Sequence, residues 1–156
     1  MKQVRKSVLL WYSPAEMYAL VTDVESYPQF LPWCSSAELL ERFPDGITAR
    51  LGLSYMGVKR SFTTRNHHVD ARSVHIELVD GPFSDLDGTW NFLPIGPTPS
   101  DAQATEKVNA CKIEFGLRYA FAGSALDHAI SPVFDRIANT FVDAFVTRAE
   151  SVYGVR

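Results

Sequence analysis

The sequence predicts an α+β fold in which a curved antiparallel sheet of seven strands surrounds one long C-terminal helix. Apolar and polar residues alternate in successive segments up to residue 121, with turn residues between the segments. This pattern is typical of antiparallel strands that bury one face. From Ser124 to Tyr153 the apolar spacing changes to three and four residues, which indicates a helix with one buried face. Because a sheet twists and curves, we expect a largely apolar cavity between it and the helix.

The totals of the sequence fit one ordinary domain that spans residues 1–156. Hydrophobic residues make up 46% of the chain, so it should fold without disulfides or a structural metal. A formal charge of −3 disfavours attraction of the whole surface to nucleic acid or anionic lipid, although it leaves room for a local basic patch. The chain has two cysteines and no apolar run of about 20 residues. We therefore expect a cytoplasmic protein with reduced thiols and at most peripheral contact with membranes.

The first elements are a strand and two short helices. Alternation over residues 4–12 predicts the strand, although Lys6 interrupts its apolar face. Ser13 then has the type of a helix N-cap, with proline at the next position and Glu16 placed to complete a capping box. Two prolines bracket large apolar side chains over residues 27–33, which leaves room for a second brief helical turn and suggests a plug or gate.

Six further strands follow, and the clearest alternates from Ile47 to Tyr55 after a Pro-Asp-Gly turn. The last runs from Cys111 to Phe121. Between the last two strands, residues 94–100 carry three prolines, which predicts a surface excursion. In the final helix, Ser131-Pro132 favours a break, and Gly154 is placed as a C-terminal stop.

Catalytic and metal-binding patterns are mostly missing from the sequence. No Gly-x-Ser-x-Gly elbow, Cys-x-x-Cys pair or His-Glu-x-x-His motif occurs, so we predict no metal site and no nucleophilic centre. His67 and His68 are adjacent and must point to opposite faces of a strand. Asp85 and Asp87 could serve as an acid or base at the cavity mouth, although a solvated loop explains them as well.

The high content of aromatic side chains, 12% of the chain, is the remaining feature that needs an explanation. Each one alone suits ordinary core packing, whereas together they suit an apolar ligand pocket. We predict that eight of them line or gate the cavity: Phe30, Trp33, Phe83, Trp90, Phe92, Phe134, Phe141 and Phe145.

Three motifs in the sequence resemble those of the coenzyme-Q-binding START-like family, within the polyketide cyclase/dehydrase and lipid transport superfamily. The motifs are Tyr27-Pro28-x-Phe30-Leu31-Pro32-Trp33-Cys34, Gly81-Pro82-Phe83-x-x-Leu86-x-Gly88-x-Trp90-x-Phe92 and Ala144-Phe145-x-x-Arg148-Ala149-x-x-x-Tyr153-Gly154. The resemblance implies a helix-grip fold, as in START-like and Bet v 1-like proteins. It also implies non-catalytic binding of ubiquinone or a related polyprenyl lipid in support of respiration, with no cofactor besides that bound lipid.

The resemblance leaves two other functions open. One bacterial branch of the family contains ribosome association toxins, which implies binding to the large ribosomal subunit and a block to subunit association. Phosphate contacts come from Lys and Arg, so Lys59, Arg60 and Arg65 are the candidate contacts in that case, although a solvated strand face explains them as well. The family also contains proteins labelled polyketide (oligoketide) cyclases, but no catalytic pair in this sequence supports that activity.

Overall fold

The structure is a computed structural model that describes residues 2–55, 57–95, 110–123 and 125–156. It contains seven strands, two α-helices and one short 3-10 helix. In chain order these are β1 (Lys2–Leu10), α1 (Pro14–Thr22), the 3-10 helix (Val24–Gln29), β2 (Cys34–Phe43), β3 (Gly46–Tyr55), β4 (Val58–Val69), β5 (Ser73–Asp80), β6 (Phe83–Pro94), β7 (Cys111–Phe121) and α2 (Ala125–Tyr153). The predicted α+β class and the seven strands are confirmed.

All seven strands form one antiparallel sheet in the order β1-β7-β6-β5-β4-β3-β2. Strands β2 to β7 are sequential neighbours, whereas β1 crosses over and pairs with β7, for example Val8 opposite Ile113. The sheet is therefore open, with β1 and β2 at its edges. We call the face toward α2 the inner face and the opposite one the outer face. Among the described residues, no helix has the length and hydrophobicity needed to cross a membrane.

The inner face carries the core, because alternate residues of β3, β6 and β7 are apolar and buried. On β6, Trp90 and Phe92 are 0% and 1% exposed. Trp90 meets Phe145 of α2, with ring centroids 5.2 Å apart, whereas Phe92 meets Tyr18 of α1. Pairs of rings at such distances and tilted angles stabilise a core beyond the area that they bury. The helix is therefore held to the sheet mainly by aromatic packing.

The capping box at α1 is confirmed. The Ser13 hydroxyl accepts a hydrogen bond from the Glu16 backbone N–H at 3.0 Å, and the Glu16 carboxylate accepts one from the Ser13 N–H at 2.9 Å. Pro14 occupies the first helical position, where its missing N–H costs no hydrogen bond. These contacts define the beginning of the helix.

The C-terminus of α2 is tied to the beginning of α1. Gly154 has a φ of +87° and ends the helix, with its N–H bonded to the Glu150 carbonyl at 3.0 Å, so the predicted stop is confirmed. Beyond it, the Arg156 guanidinium donates to both carboxylate oxygens of Glu16 at 2.7 and 2.9 Å. The Tyr153 hydroxyl donates to the Glu16 carbonyl at 2.9 Å. This clamp fixes the far end of the long helix.

The predicted break at Ser131-Pro132 was wrong, because α2 runs without interruption from Ala125 to Tyr153. Pro132 has no backbone N–H, so one carbonyl in the preceding turn of the helix loses its hydrogen-bond donor. Because Pro132 is exposed, water can donate to that carbonyl instead. Of the predicted excursion at residues 94–100, Pro94 ends β6, and the residues from 96 onward lie outside the described part of the chain.

Candidate functional site

A small cavity lies between the inner face of the sheet and α2. Its volume is about 70 Å³. Pockets that hold drug-sized ligands measure about 300–1,000 Å³, so this void is far smaller than a quinone ring with a polyprenyl tail requires. The interior of the protein is therefore mostly filled.

The predicted lining residues divide between the cavity wall and the packing behind it. Trp33, Phe134 and Phe141 are on the wall. Trp90 and Phe145 pack behind Phe141, with centroid distances to it of 5.6 and 5.1 Å. Trp33, Trp90, Phe141 and Phe145 thus form one cluster of rings, whereas Phe134 packs against Phe83 and Tyr119.

The other three predicted residues are not on the cavity wall. Phe92 stacks parallel to Trp90 at 6.1 Å. Phe83 is packed between Phe62 and the helix. Phe30 packs edge-on against Phe145, with ring centroids 5.1 Å apart, and the Arg148 guanidinium lies 5.0 Å from its ring centroid. A role for any of the eight in ligand binding stays a prediction.

Two polar residues on the cavity wall were missed by the sequence analysis. Thr64 and Asn66 are 4% and 7% exposed, and the Thr64 hydroxyl donates to the Asn66 side-chain oxygen at 2.9 Å. Both lie on β4 in alternation with buried Phe62, and this spacing could have shown that they point inward. A hydrogen-bonded pair in an apolar cavity is the kind of group that orients a ligand.

The two thiols lie on the inner side of the sheet and are unsuited to nucleophilic chemistry. Cys34 and Cys111 are 4% and 0% exposed. Desolvation by burial raises the pKa of each thiol to about 11. At neutral pH the thiolate, which is the nucleophile, is therefore scarce.

The histidines and the candidate acid residues do not converge on the cavity. His67 and His68 point to opposite faces as predicted: His67 is near Glu77 on the outer face, whereas His68 packs against the Tyr18 ring. On the outer face, Asp87 Oδ2 lies 2.8 Å from His75 Nε2. In the described part of the chain, no three His, Cys, Asp or Glu side chains gather closely enough to hold a metal ion.

The three cations proposed as ribosome contacts do not share one face. Lys59 pairs with Ser54, and Arg60 pairs with Leu53, which is buried on the inner face, so their side chains point to opposite sides of the sheet. Arg65 lies 3.4 Å over the Phe43 ring and 3.4 Å from Asp45 Oδ1. Only Lys59 is fully exposed among the three, so the alternation of the strand divides the predicted patch.

Comparison with known protein families identifies the family of this chain. The family described as polyketide cyclase / dehydrase and lipid transport matches residues 10–146, which is most of the sequence. The chain belongs to this family. The assignment confirms the family that the three sequence motifs indicated, and the fold is the START-like fold that they implied.

Relatives within the family carry different names. The ribosome association toxin RatA of Escherichia coli K12 is 40% identical over 156 residues, which cover 100% of this chain and 92% of RatA. A mitochondrial coenzyme Q-binding protein homolog of Xenopus laevis is 25% identical over 150 residues, covering 96% of this chain and 58% of the frog protein. These family members are named for a toxin activity and for binding.

A solved structure supports the fold independently. A START superfamily protein from Mycobacterium smegmatis superimposes with a TM-score of 0.66 over 96% of this chain and 94% of that chain. Because the two are only 18% identical, the likeness shows the shared architecture alone. It agrees with the order of strands and the long C-terminal helix described above.

Proposed function

We propose that this protein is a ribosome association toxin, which binds the large ribosomal subunit and blocks its association with the small subunit. The sequence analysis placed this function second to lipid binding. The order is reversed because RatA is similar over the whole chain, whereas the coenzyme Q-binding relative is more distant.

The filled interior is the observation that carries the proposal. A cavity of about 70 Å³ cannot enclose a polyprenyl quinone unless the surrounding side chains move apart. Those side chains belong to a densely packed aromatic cluster that includes Trp90 and Phe145, both 0% exposed. Opening it would forfeit contacts that hold α2 to the sheet. The protein in this conformation offers a partner its surface rather than its core.

Electrostatics sets a condition on ribosome binding. Ribosomal RNA is a polyanion and the protein has a formal charge of −3, so contact requires a local patch of Lys and Arg. Such binding weakens as salt rises, because the protein displaces counterions from the phosphates. The proposal also places the protein in the cytoplasm, where ribosomal subunits are assembled into ribosomes.

The test is sedimentation of the purified protein with isolated large and small subunits. We expect comigration with the large subunit, less comigration as salt rises from about 50 to 200 mM, and fewer assembled ribosomes when both subunits are present. The small subunit alone serves as the control. Absence of comigration with the large subunit at the lowest salt contradicts the proposal.

A second candidate function is the binding of ubiquinone or a related lipid in an expanded form of the cavity. The hydrogen-bonded pair Thr64–Asn66 favours it, because polar groups in an apolar wall can orient a quinone carbonyl. Mass spectrometry of an organic extract of natively purified protein tests it. A quinone recovered in near-stoichiometric amount supports lipid binding, and an extract without lipid contradicts it.

A further inference from the structure

The outer face of the sheet has a groove where β1, β7 and β6 lie side by side. Its volume is about 600 Å³, and most of the residues that line it are polar. Gly116 of β7 is in the middle, with Arg5 of β1 paired on one side and Thr89 of β6 on the other. The groove faces away from α2 and is separate from the internal cavity.

Gly116 differs from the other glycines of the described strands. An added Cβ would collide with the Asn66 carbonyl oxygen at Gly46 and with the Ser36 hydroxyl at Gly52, and it would lie 3.1 Å from Leu117 Cδ1 at Gly88. At Gly116 it would meet nothing within 4 Å, and the backbone does not need the left-handed conformation. Packing therefore excludes a side chain at Gly46, crowds one at Gly52 and Gly88, and leaves Gly116 unexplained.

A glycine inside a strand weakens the strand and often marks a place where a ligand or another backbone approaches closely. At Gly116 the missing side chain opens the floor of the groove, so that the peptide backbone between Arg5 and Thr89 can be reached from outside. This position suits a partner that is itself a polar chain.

The charges around the groove favour an anionic partner. Arg5 is exposed and forms no ion pair with any residue that the structure describes. Arg118 is two positions from Gly116 on the same face and lies 3.9 Å from Asp87. Asp87 is also engaged by His75 at 2.8 Å, and Glu114 lies 3.4 Å from Lys112. The acidic groups of the groove are thus partly neutralised, whereas its arginines keep donors available.

Neutral groups in the groove add hydrogen-bonding capacity. Gln3, Ser7, Thr89 and Asn91 also line it, and all four can donate a hydrogen bond. Most hydrogen bonds from proteins to nucleic acids go to phosphate and sugar oxygens, and they come from Arg, Lys and neutral polar side chains of these types. The planar guanidinium of arginine also pairs bidentately with phosphate.

We propose that this groove binds the sugar–phosphate backbone of RNA and forms the contact surface through which the protein associates with the ribosome. The proposal rests on the proposed function and adds the location and the ligand chemistry. It also differs from the candidate set Lys59, Arg60 and Arg65, whose side chains are divided between the two faces of the sheet.

The experiment compares two double variants with equal loss of charge. Arg5→Gln with Arg118→Gln neutralises the groove, and Lys59→Gln with Arg60→Gln is the matched control on the β3–β4 hairpin. A third variant, Gly116→Gln, fills the floor without changing charge, and the open space at this position lets the fold accept it. Affinities for isolated large subunits and for protein-free ribosomal RNA are measured across a range of salt, after thermal unfolding shows that each variant is folded.

We expect the groove double variant to bind about tenfold more weakly and to lower the slope of log affinity against log salt by about 2, because two phosphate contacts are lost. Gly116→Gln should weaken binding with a smaller change in slope, and the hairpin variant should bind like the unsubstituted protein. Equal binding by the groove variants and the unsubstituted protein would overturn the proposal, as would weaker binding by the hairpin variant alone.

The two probes separate the possible failures. If the unsubstituted protein binds large subunits but not protein-free RNA, the partner is a ribosomal protein and the groove proposal is overturned while the proposed function stands. If it binds RNA through the groove but not the subunits, the RNA-binding part of the groove proposal stands, whereas the role of the groove in ribosome association and the proposed function are both overturned. If it binds neither, both are overturned.

Discussion

The two faces of the sheet are formed by the same alternating strands but have different properties. On the inner face, Trp90 and Phe92 are almost fully buried, Trp90 against Phe145 of α2 and Phe92 against Tyr18 of α1. On the outer face, the same strand presents Asp87, Thr89 and Asn91 to a polar groove. A substitution on the inner face must therefore change stability before it changes anything else. The outer face can change its binding properties while the core stays intact.

Two of the three tryptophans give the largest test of this contrast, because Trp90 is 0% exposed and Trp11 is 70% exposed. Replacing Trp90 by alanine removes a ring that contacts Phe92, Phe115 and Phe145. We expect it to lower the free energy of unfolding by about 3–5 kcal/mol. Trp11→Ala is the control and should cost about 0.5 kcal/mol or less. Chemical denaturation measures both, and similar losses would contradict the assignment of Trp90 to the core.

The burial of the inner face can also be tested by the reactivity of the two cysteine thiols. Burial raises the pKa of Cys34 and Cys111 to about 11, from an ordinary value of 9.0, so the thiolate at pH 8 is about a hundredfold scarcer than for an unperturbed thiol. We expect slow labelling of the native protein by a thiol reagent and rapid labelling of both cysteines in denaturant. Rapid labelling of either cysteine in the native protein would show that its strand is more accessible than the structure describes.

A smaller effect is expected where the inner face is least filled. Ala49 is 1% exposed and lies on the cavity wall. Ala49→Val adds two carbon atoms to the void and suits a strand, so we expect the protein to gain about 1 kcal/mol in stability. Binding to the ribosome should not change, whereas retention of a lipid should fall. A loss of stability above about 1 kcal/mol would mean that the cavity cannot accept the extra volume.

Local rules explain why much of the fold was predictable from the sequence. The capping box at Ser13 and the stop at Gly154 depend on residues within one helical turn, and the structure has both. Alternation likewise located the strands. The continuous helix through Pro132 was missed because a proline inside a helix usually kinks or ends it, whereas here α2 continues through an exposed Pro132.

The site was less predictable, because it depends on how the elements pack. Alternation could have placed Thr64 and Asn66 on the inner face and separated Lys59 from Arg60. The volume of the cavity depends on how closely α2 approaches the sheet, and no single segment encodes that distance. The open space at Gly116 also becomes visible only when the neighbouring strands are in register.

The smallest predicted effect lies at the clamp between the end of α2 and the beginning of α1, where Arg156 meets Glu16. The hydrogen bonds from Arg156, opposed by partial desolvation, lower the pKa of the Glu16 carboxyl from its ordinary 4.5. Because the folded pKa is the lower one, this ion pair stabilises the protein fully at pH values above the unfolded pKa, and the stabilisation is lost as pH falls through the folded value. Glu16→Gln keeps an acceptor for the capping box and removes the charge.

We therefore expect Glu16→Gln to be less stable than the unsubstituted protein by no more than about 1 kcal/mol at pH 7, because the pair is partly exposed. The difference should vanish below the folded pKa. Denaturation curves at pH 7 and pH 3 measure it, with Arg156→Gln as the matched control and the double variant to isolate the pair. A difference that persists unchanged at pH 3 would assign the stabilisation to the shape of the side chain rather than to its charge.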